Sequence, residues 1–286
     1  MRYCGRQFSS REIEDIRDII STEPKLSRYR ISISVCEKFN WRRPDGKLKD
    51  MSCRVALLRM ESDGHITLPI AQCTKPVTYG FHPEIEAAVD APINIPSITL
   101  ANLTSEIVVQ RGASRLWNAY VQRYHYLGHQ LIPGSQLRYF VYSGDTIVAL
   151  LSFGASAWKV KPRDEYIGWS AEQRQRNLHL VVNNARFLIL PWIRCDNLAS
   201  KTLALISRRI ARDWQQRYAY RPVLLESFVD DSRYRGTCYK AANWQCLGKT
   251  KGRGKLDRHH DNDKPIKSIW TYPLVPGFRR HLAIEA

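Results

Sequence analysis

Apolar residues recur at helical spacing through the first seventy positions. Ile13, Ile16, Ile19 and Ile20 share one face behind Ser9-Ser10-Arg11-Glu12, which has the order of a capping box. Thr22-Glu23-Pro24 breaks that helix. A second is predicted from Ser27, with Ile31, Val35 and Phe39 turned inward at steps of four, ending near Trp41 before Arg42-Arg43-Pro44-Asp45-Gly46. Asp50 caps a third predicted helix whose apolar stripe is Met51, Val55 and Leu58. Ser62-Asp63-Gly64 then turns into a short strand over 65–69. Three short helices, a turn and a strand give the order of a winged helix-turn-helix, predicted here for residues 1–70. In that geometry the third helix enters the DNA major groove, and its outward Ser52, Arg54 and Arg59 meet bases and phosphates.

From 71 to 102 the periodicity fades. Pro76, Pro83, Pro92 and Pro96 give an extended, linker-like composition. Beyond it, both helical and strand periods return. A helix is predicted around 113–124, followed by a polar-aromatic turn at Tyr124-His-Tyr-Leu-Gly128. A β-hairpin is predicted from 137–142 and 146–153, joined by Ser143-Gly144-Asp145. A short buried strand at 185–190 precedes a strong helix with Ala199, Leu203, Ile206, Ile210 and Trp214 at steps of three and four. A strand at 222–229, a helical turn within 234–244 and a last strand at 245–249 complete a mixed α/β domain over 103–256. Residues 257–286 are left as a basic C-terminal extension.

Charge changes this picture. The chain has 286 residues with 44 Lys+Arg against 27 Asp+Glu, a formal net charge of +17. The first hundred residues are near neutral at +2, and 101–286 carry +15. The second part is the one expected to seek polyanions such as nucleic-acid backbones. Lys249, Lys251, Arg253 and Lys255 alternate with Thr250, Gly252 and Gly254, a segment suited to following a phosphate backbone. With 44% hydrophobic residues, wholesale disorder is excluded. No apolar run reaches the ~18–20 residues of a membrane span, and the N-terminus lacks a signal peptide's apolar stretch, so a cytoplasmic protein is expected. The seven cysteines contain no CxxC pair and read as free thiols of a reducing compartment.

Hairpin, strand, helix, strand, helical turn and strand is the order of an acetyltransferase-like (GNAT) α/β sheet. Such enzymes cradle the coenzyme A pyrophosphate on a Gln/Arg-x-x-Gly-x-Gly/Ala loop at a helix N-terminus. The matching stretch here is Arg194-Cys195-Asp196-Asn197-Leu198-Ala199. It places Asn197 at the key glycine and adds a carboxylate at Asp196, so acetyl-CoA is not expected. The motifs Tyr124-His-Tyr-Leu-Gly128, Gln136-Leu-Arg-Tyr139, Ile167-Gly-Trp-Ser170, 180–189, Asn197-Leu-Ala-Ser200, Leu225-Glu-Ser-Phe-Val-Asp230 and 236–248 are similar to those of the DruA family. That family is named for the Druantia anti-phage system, and its short members also accompany mobile elements or transposases. The resemblance implies a DNA-directed role in antiviral defence or transposition, with no catalytic residues to carry over.

Candidate chemistry comes from side chains alone. Positions 226, 228 and 230 share one face of an extended strand, so Glu226 and Asp230 are candidate ligands for Mg²⁺ or Mn²⁺ in a nuclease. In the competing structural reading, Glu226 pairs with a core arginine such as Arg186 and Asp230 caps the next helix. His125 is a candidate general base, and Tyr239 a candidate nucleophile toward a phosphodiester, with Tyr124 and Tyr126 as further tyrosines. Arg138, Lys159 and Arg163 are candidates for holding the scissile phosphate. The function expected is DNA recognition with nicking or strand transfer. The alternatives are a non-catalytic DNA module recruiting a helicase or transposase and, third, an acyl-CoA-dependent acetyltransferase.

Overall fold

Ser9 and Glu12 close the expected reciprocal cap: the Glu12 N–H donates to Ser9 Oγ (3.2 Å), and the Ser9 N–H donates to the Glu12 carboxylate (2.9 Å). They start the first helix of a computed structural model that describes residues 1–22, 26–71, 90–91, 97–132, 134–252 and 265–283. The chain forms two units, Met1–Gly80 and Phe81–Ala286.

The first unit opens with a minimal antiparallel hairpin, β1 (Arg2–Tyr3) and β2 (Arg6–Gln7), followed by α1 (Ser10–Thr22), α2 (Arg28–Lys38) and α3 (Asp50–Ser62). Ile13, Ile16, Ile31 and Val35 are buried with Phe8, Trp41, Cys53, Leu57 and Met60. Two expectations are corrected here. The stripe of α3 is out of phase, because Met51, Val55 and Leu58 are exposed while Cys53, Ala56, Leu57 and Met60 face the core. Residues 65–69 form no strand, so the wing of a winged helix is not built there. Glu61 instead holds that segment as a loop, its carboxylate accepting from the Leu68 N–H at 2.8 Å.

The second unit is a mixed α/β fold. Its elements are β3 (Leu103–Ile107), α4 (Arg111–Tyr124), β4 (Gln136–Ser143), β5 (Thr146–Ala155), α5 (Lys161–Ile167), α6 (Ala171–Asn177), β6 (Val181–Ile189), α7 (Leu198–Tyr218), β7 (Leu224–Asp230), α8 (Thr237–Ala241), β8 (Gln245–Lys249), β9 (Lys267–Pro273) and α9 (Phe278–Leu282). They build a seven-stranded sheet in the order β3-β4-β5-β6-β7-β9-β8. Helix α7 buries Leu203, Ile206, Ile210 and Trp214, the stripe that its spacing predicts, in a core shared with Tyr139, Phe153 and Leu225. Residues 257–286 are no mere extension. They supply β9, which pairs with β7 on one side and β8 on the other and buries Ile269 and Trp270. Among the described residues no helix is long and apolar enough to cross a membrane.

Candidate functional site at a fork between parallel strands

β6 and β7 are the parallel pair of this sheet, and they part company. Their register runs from Val181↔Leu224 to Asn184↔Ser227 and stops, although β6 continues to Ile189 and β7 to Asp230. Each stays bonded to its antiparallel neighbour: β6 to β5 as far as Ile189, and β7 to β9 as far as Asp230. The two strands therefore open as a fork at their carboxyl ends, the edge where ligands of α/β sheets lie. A β-bulge marks the branch point. Ser152 pairs with Arg186 and Phe153 with Asn184, leaving Ala185 as the extra residue.

Asn184 and Tyr239 tie the branch point together. The Asn184 Nδ2 donates to the carbonyls of Ser152 and Arg186, both at 3.1 Å, bridging the bulge. The Tyr239 hydroxyl, from α8, donates to Asn184 Oδ1 at 2.7 Å and accepts from Ser227 Oγ at 2.9 Å. Phe187, Trp244 and Trp270 pack around the Tyr239 ring. Burial pushes the Tyr239 hydroxyl far up, so it holds its proton through the ordinary pH range. Gly236 allows this approach: a Cβ there would lie 2.5 Å from the Trp270 ring, at a φ of +68° that disfavours any side chain.

The turn after α4 stands at the same edge. Arg186 donates from Nε to the Gly128 carbonyl (3.1 Å) and from Nη1 to the Ala185 carbonyl (2.8 Å), joining turn to bulge. The His125 ring stacks on Tyr126, which also receives Arg233 over its face. His125 Nδ1 accepts from the Leu127 N–H at 3.2 Å, which leaves Nε2 to carry the proton of the neutral ring. Burial and then the Arg186 charge lower its pKa to about 4. Burial, followed by the Asp230 charge, raises the Tyr126 hydroxyl.

The metal site expected from Glu226 and Asp230 is not built. Glu226 is wholly buried, its Oε2 2.9 Å from Arg163 Nη1 and its Oε1 accepting from the Ala157 N–H at 3.0 Å. Its pKa is raised by burial, and the Arg163 guanidinium and the Ala157 N–H offset only part of that rise. Asp230 spends Oδ1 on the N–H and hydroxyl of Ser232, capping the turn after β7. Among the described residues, no three His, Cys, Asp or Glu side chains gather as a metal site.

The basic candidates are likewise placed elsewhere. Arg163 is fully buried and bonded to Glu226, Asp164 and the Ala157 carbonyl, so it is no phosphate clamp. Arg138 donates to Asn118 and Ser114. Lys159 and Lys251 are exposed, and Lys249 pairs with Asp231 at 3.0 Å. Arg253 and Lys255 lie outside the described residues. In the first unit, Arg54 is occupied by Asp50 at 3.1 Å and lies over Tyr29, Ser52 is half-buried and Arg59 is exposed. Asn184, Ser227 and Arg186 carry the fork and were not singled out as site residues by sequence reasoning. The signal of Asn184 and Arg186 was present in the 180–189 motif, where two asparagines and an arginine interrupt an otherwise apolar strand, and Ser227 lies in the 225–230 motif.

Solved structures similar to this chain are acyltransferases. The aminoglycoside acetyltransferase AAC(6')-Ib in complex with coenzyme A and kanamycin is 12% identical over 60% of this chain and 95% of its own, with a TM-score of 0.40. The ribosomal-protein-S18-alanine N-acetyltransferase from Escherichia coli is 11% identical over 62% and 96%, with a TM-score of 0.37. FeeM, an N-acyl amino acid synthase from uncultured soil microbes, is 12% identical over 64% and 95%, with a TM-score of 0.38. No curated protein is matched in sequence.

These findings correct the expected function. The similar structures named above are acyltransferases; Glu226, Arg163 and Tyr239, assigned to strand cleavage, are engaged in buried bonds, and Asp230 caps a turn. They also correct the exclusion of acetyl-CoA, which is bound in a further structure of the aminoglycoside enzyme. Asn197 adopts a left-handed backbone (φ +61°), the conformation for which glycine is usually kept, and Asp196 beside it is exposed. In sequence, residues 89–282 match the family described as Druantia protein DruA, and the chain belongs to that family.

Proposed function

We propose that the second unit is an acyl-CoA-dependent acyltransferase that takes the arm of its cofactor into the fork between β6 and β7. The observation carrying this reading is the early end of the parallel register at Asn184↔Ser227, beside the bulge at Ala185. Past that point, among the described residues, the β6 backbone has strand pairing on the β5 side alone, so residues 185–189 can pair with an extended ligand bearing amides, as a sheet edge pairs with an added strand. The pantetheine arm of coenzyme A is such a ligand. The N-terminus of α7 has no side-chain cap, and Asn197 sets its entry in a conformation open to a pyrophosphate. Arg194 and Lys201, both exposed, flank it with positive charge.

When bound, coenzyme A supplies an activated acyl thioester. The chain's own residues bind and orient. Tyr239 commits its hydroxyl proton to Asn184 Oδ1 and so fixes the branch point of the fork. Neutral His125 at the edge of the fork offers Nε2–H rather than a basic lone pair, so His125 positions an acceptor by donating a hydrogen bond. Arg186 fixes the turn and bulge in one arrangement.

Calorimetric titration of the full chain with acetyl-CoA tests the proposal. One site per chain is expected, with affinity falling at least tenfold in Arg194→Glu/Lys201→Glu and unchanged in Tyr239→Phe. No saturable heat up to millimolar acetyl-CoA rejects it. For the first unit, we infer a helix-turn-helix variant whose β-hairpin comes from β1 and β2 ahead of α1.

A further inference from the structure

Leu205, Arg208, Arg209 and Arg212 form one stripe along α7, three strands of the sheet away from the fork. Opposite this stripe lie Thr104 and Ser105 of the edge strand β3, and Arg221 comes from the segment after the helix. Together they line an open groove of about 690 Å³. Among the described residues, four guanidinium groups meet one ion-paired carboxylate there, that of Asp213, which is nearly inaccessible.

Asp213 is already committed. It accepts the Tyr139 hydroxyl at 3.0 Å and Arg209 Nε at 2.5 Å, and Arg209 also donates Nη1 to the Ser105 carbonyl and hydroxyl at 2.6 and 2.9 Å. These bonds neutralise Arg209 and lock its orientation. Arg212 reaches Asp213 only at 3.7 Å, and its side chain is 67% exposed. Among the described residues, Arg208 and Arg221 have no ion pair, and both are exposed.

Among the described residues, Arg208 and Arg221 thus line one concave surface without a counter-charge, and Arg212 beside them keeps only a long contact to the Asp213 carboxylate that Arg209 already holds. Folding does not require them, because the buried stripe of α7 is Leu203, Ile206, Ile210 and Trp214. Their mutual repulsion is relieved by an anion, and planar guanidinium forks fit phosphate oxygens in pairs. Several cations crowded together select a ligand with several negative charges close together. Among the described residues no aromatic ring lines the groove to stack a base, so recognition runs through phosphates alone. We propose that this groove is a binding site for a small polyphosphate of the triphosphate class. The proposal is independent of acyl transfer.

The test is calorimetric titration of the full chain with inorganic tripolyphosphate at about 150 mM salt, where surface attraction is largely screened. One ligand per chain is expected, with ATP binding within threefold of the inorganic ion. Arg208→Ala/Arg221→Ala, which alters two exposed side chains, is expected to raise the Kd at least tenfold. Arg208→Lys/Arg221→Lys is expected to recover part of that loss, keeping charge without the fork. Acetyl-CoA affinity is expected to stay unchanged in the double-alanine variant, which separates this groove from the β6–β7 site. The proposal is overturned by an absence of saturable tripolyphosphate binding, or by an unchanged Kd in a double-alanine variant with native circular dichroism. It is equally overturned if duplex DNA outcompetes tripolyphosphate at the same arginines.

Discussion

Glu226 and Arg163, sixty-three positions apart, form a 2.9 Å ion pair from which solvent is wholly excluded. Among the described residues Glu226 has Arg163 as its one ion-pair partner, whereas Arg163 also holds Asp164 at 2.7 Å, so loss of Arg163 leaves a buried carboxylate with the full cost of desolvation. Arg163→Leu is therefore expected to destabilise the second unit by about 3–5 kcal/mol, Glu226→Leu by less because Asp164 stays with Arg163, and Glu226→Leu/Arg163→Leu by less than the sum of the two. Urea denaturation of the three variants measures this. A fully additive double variant would contradict the coupling, and millimolar Mg²⁺ is expected to leave the wild-type midpoint unmoved.

His125 makes stability depend on pH. Its pKa of about 4 in the folded chain lies below the ordinary value of about 6.5, so between those values the unfolded chain binds more protons. Stability should be complete above about pH 6.5 and fall as the pH drops towards 4, by at most about 3 kcal/mol from this group. His125→Asn, which keeps an acceptor for the Leu127 N–H, is expected to flatten that slope. Parallel stability curves for variant and wild type between pH 7 and 4.5 would remove His125 as the cause.

Gly236 and Gly144 separate steric from conformational cost. Both have positive φ, but a Cβ at Gly236 meets the Trp270 ring whereas one at Gly144 meets nothing within 4 Å. Gly144→Ala should cost about 1 kcal/mol, and Gly236→Ala about 2–4 kcal/mol because crowding adds to the backbone penalty. Thermal midpoints of the two variants give the contrast, and equal losses would mean that Trp270 moves aside freely.

Asn197 tests the entry to α7. Asn197→Gly is expected to keep both stability and acetyl-CoA affinity, because glycine adopts the same left-handed backbone at no steric cost. Asn197→Val is expected to lose about 1–2 kcal/mol of stability. If the glycine variant loses affinity instead, the Asn197 side chain itself contacts the ligand.

The elements of the second unit were readable where one face alone is buried. Leu203, Ile206, Ile210 and Trp214 give α7, and Ser143-Gly144-Asp145 marks the hairpin between β4 and β5. Phase was misread on α3, where Met51, Val55 and Leu58 and the buried set of Cys53, Ala56, Leu57 and Met60 both follow helical spacing. An apolar helix with two candidate stripes is decided only by what it packs against. Strand β9 went unseen because Lys267-Ser-Ile-Trp-Thr-Tyr-Pro273 comes after a run of His, Asp and Lys. The site eluded sequence reasoning for a similar reason. Glu226 was matched to an arginine on the neighbouring strand, while its partner is on α5, and no local pattern reveals that β6 and β7 diverge.

The insertion of β9 between β7 and β8 sets an order of events during synthesis. When Leu224–Asp230 leaves the ribosome its outer edge has no partner, and β8 emerges next with none either, until Lys267–Pro273 appears and joins both. Through that interval the nascent chain presents a bare, largely apolar strand edge, the feature on which unrelated chains pair and aggregate. A premature stop between Lys249 and Lys267 would make that interval permanent. Such a truncated product is destined for chaperones or proteases, even though it retains the groove residues and most of the core-forming residues.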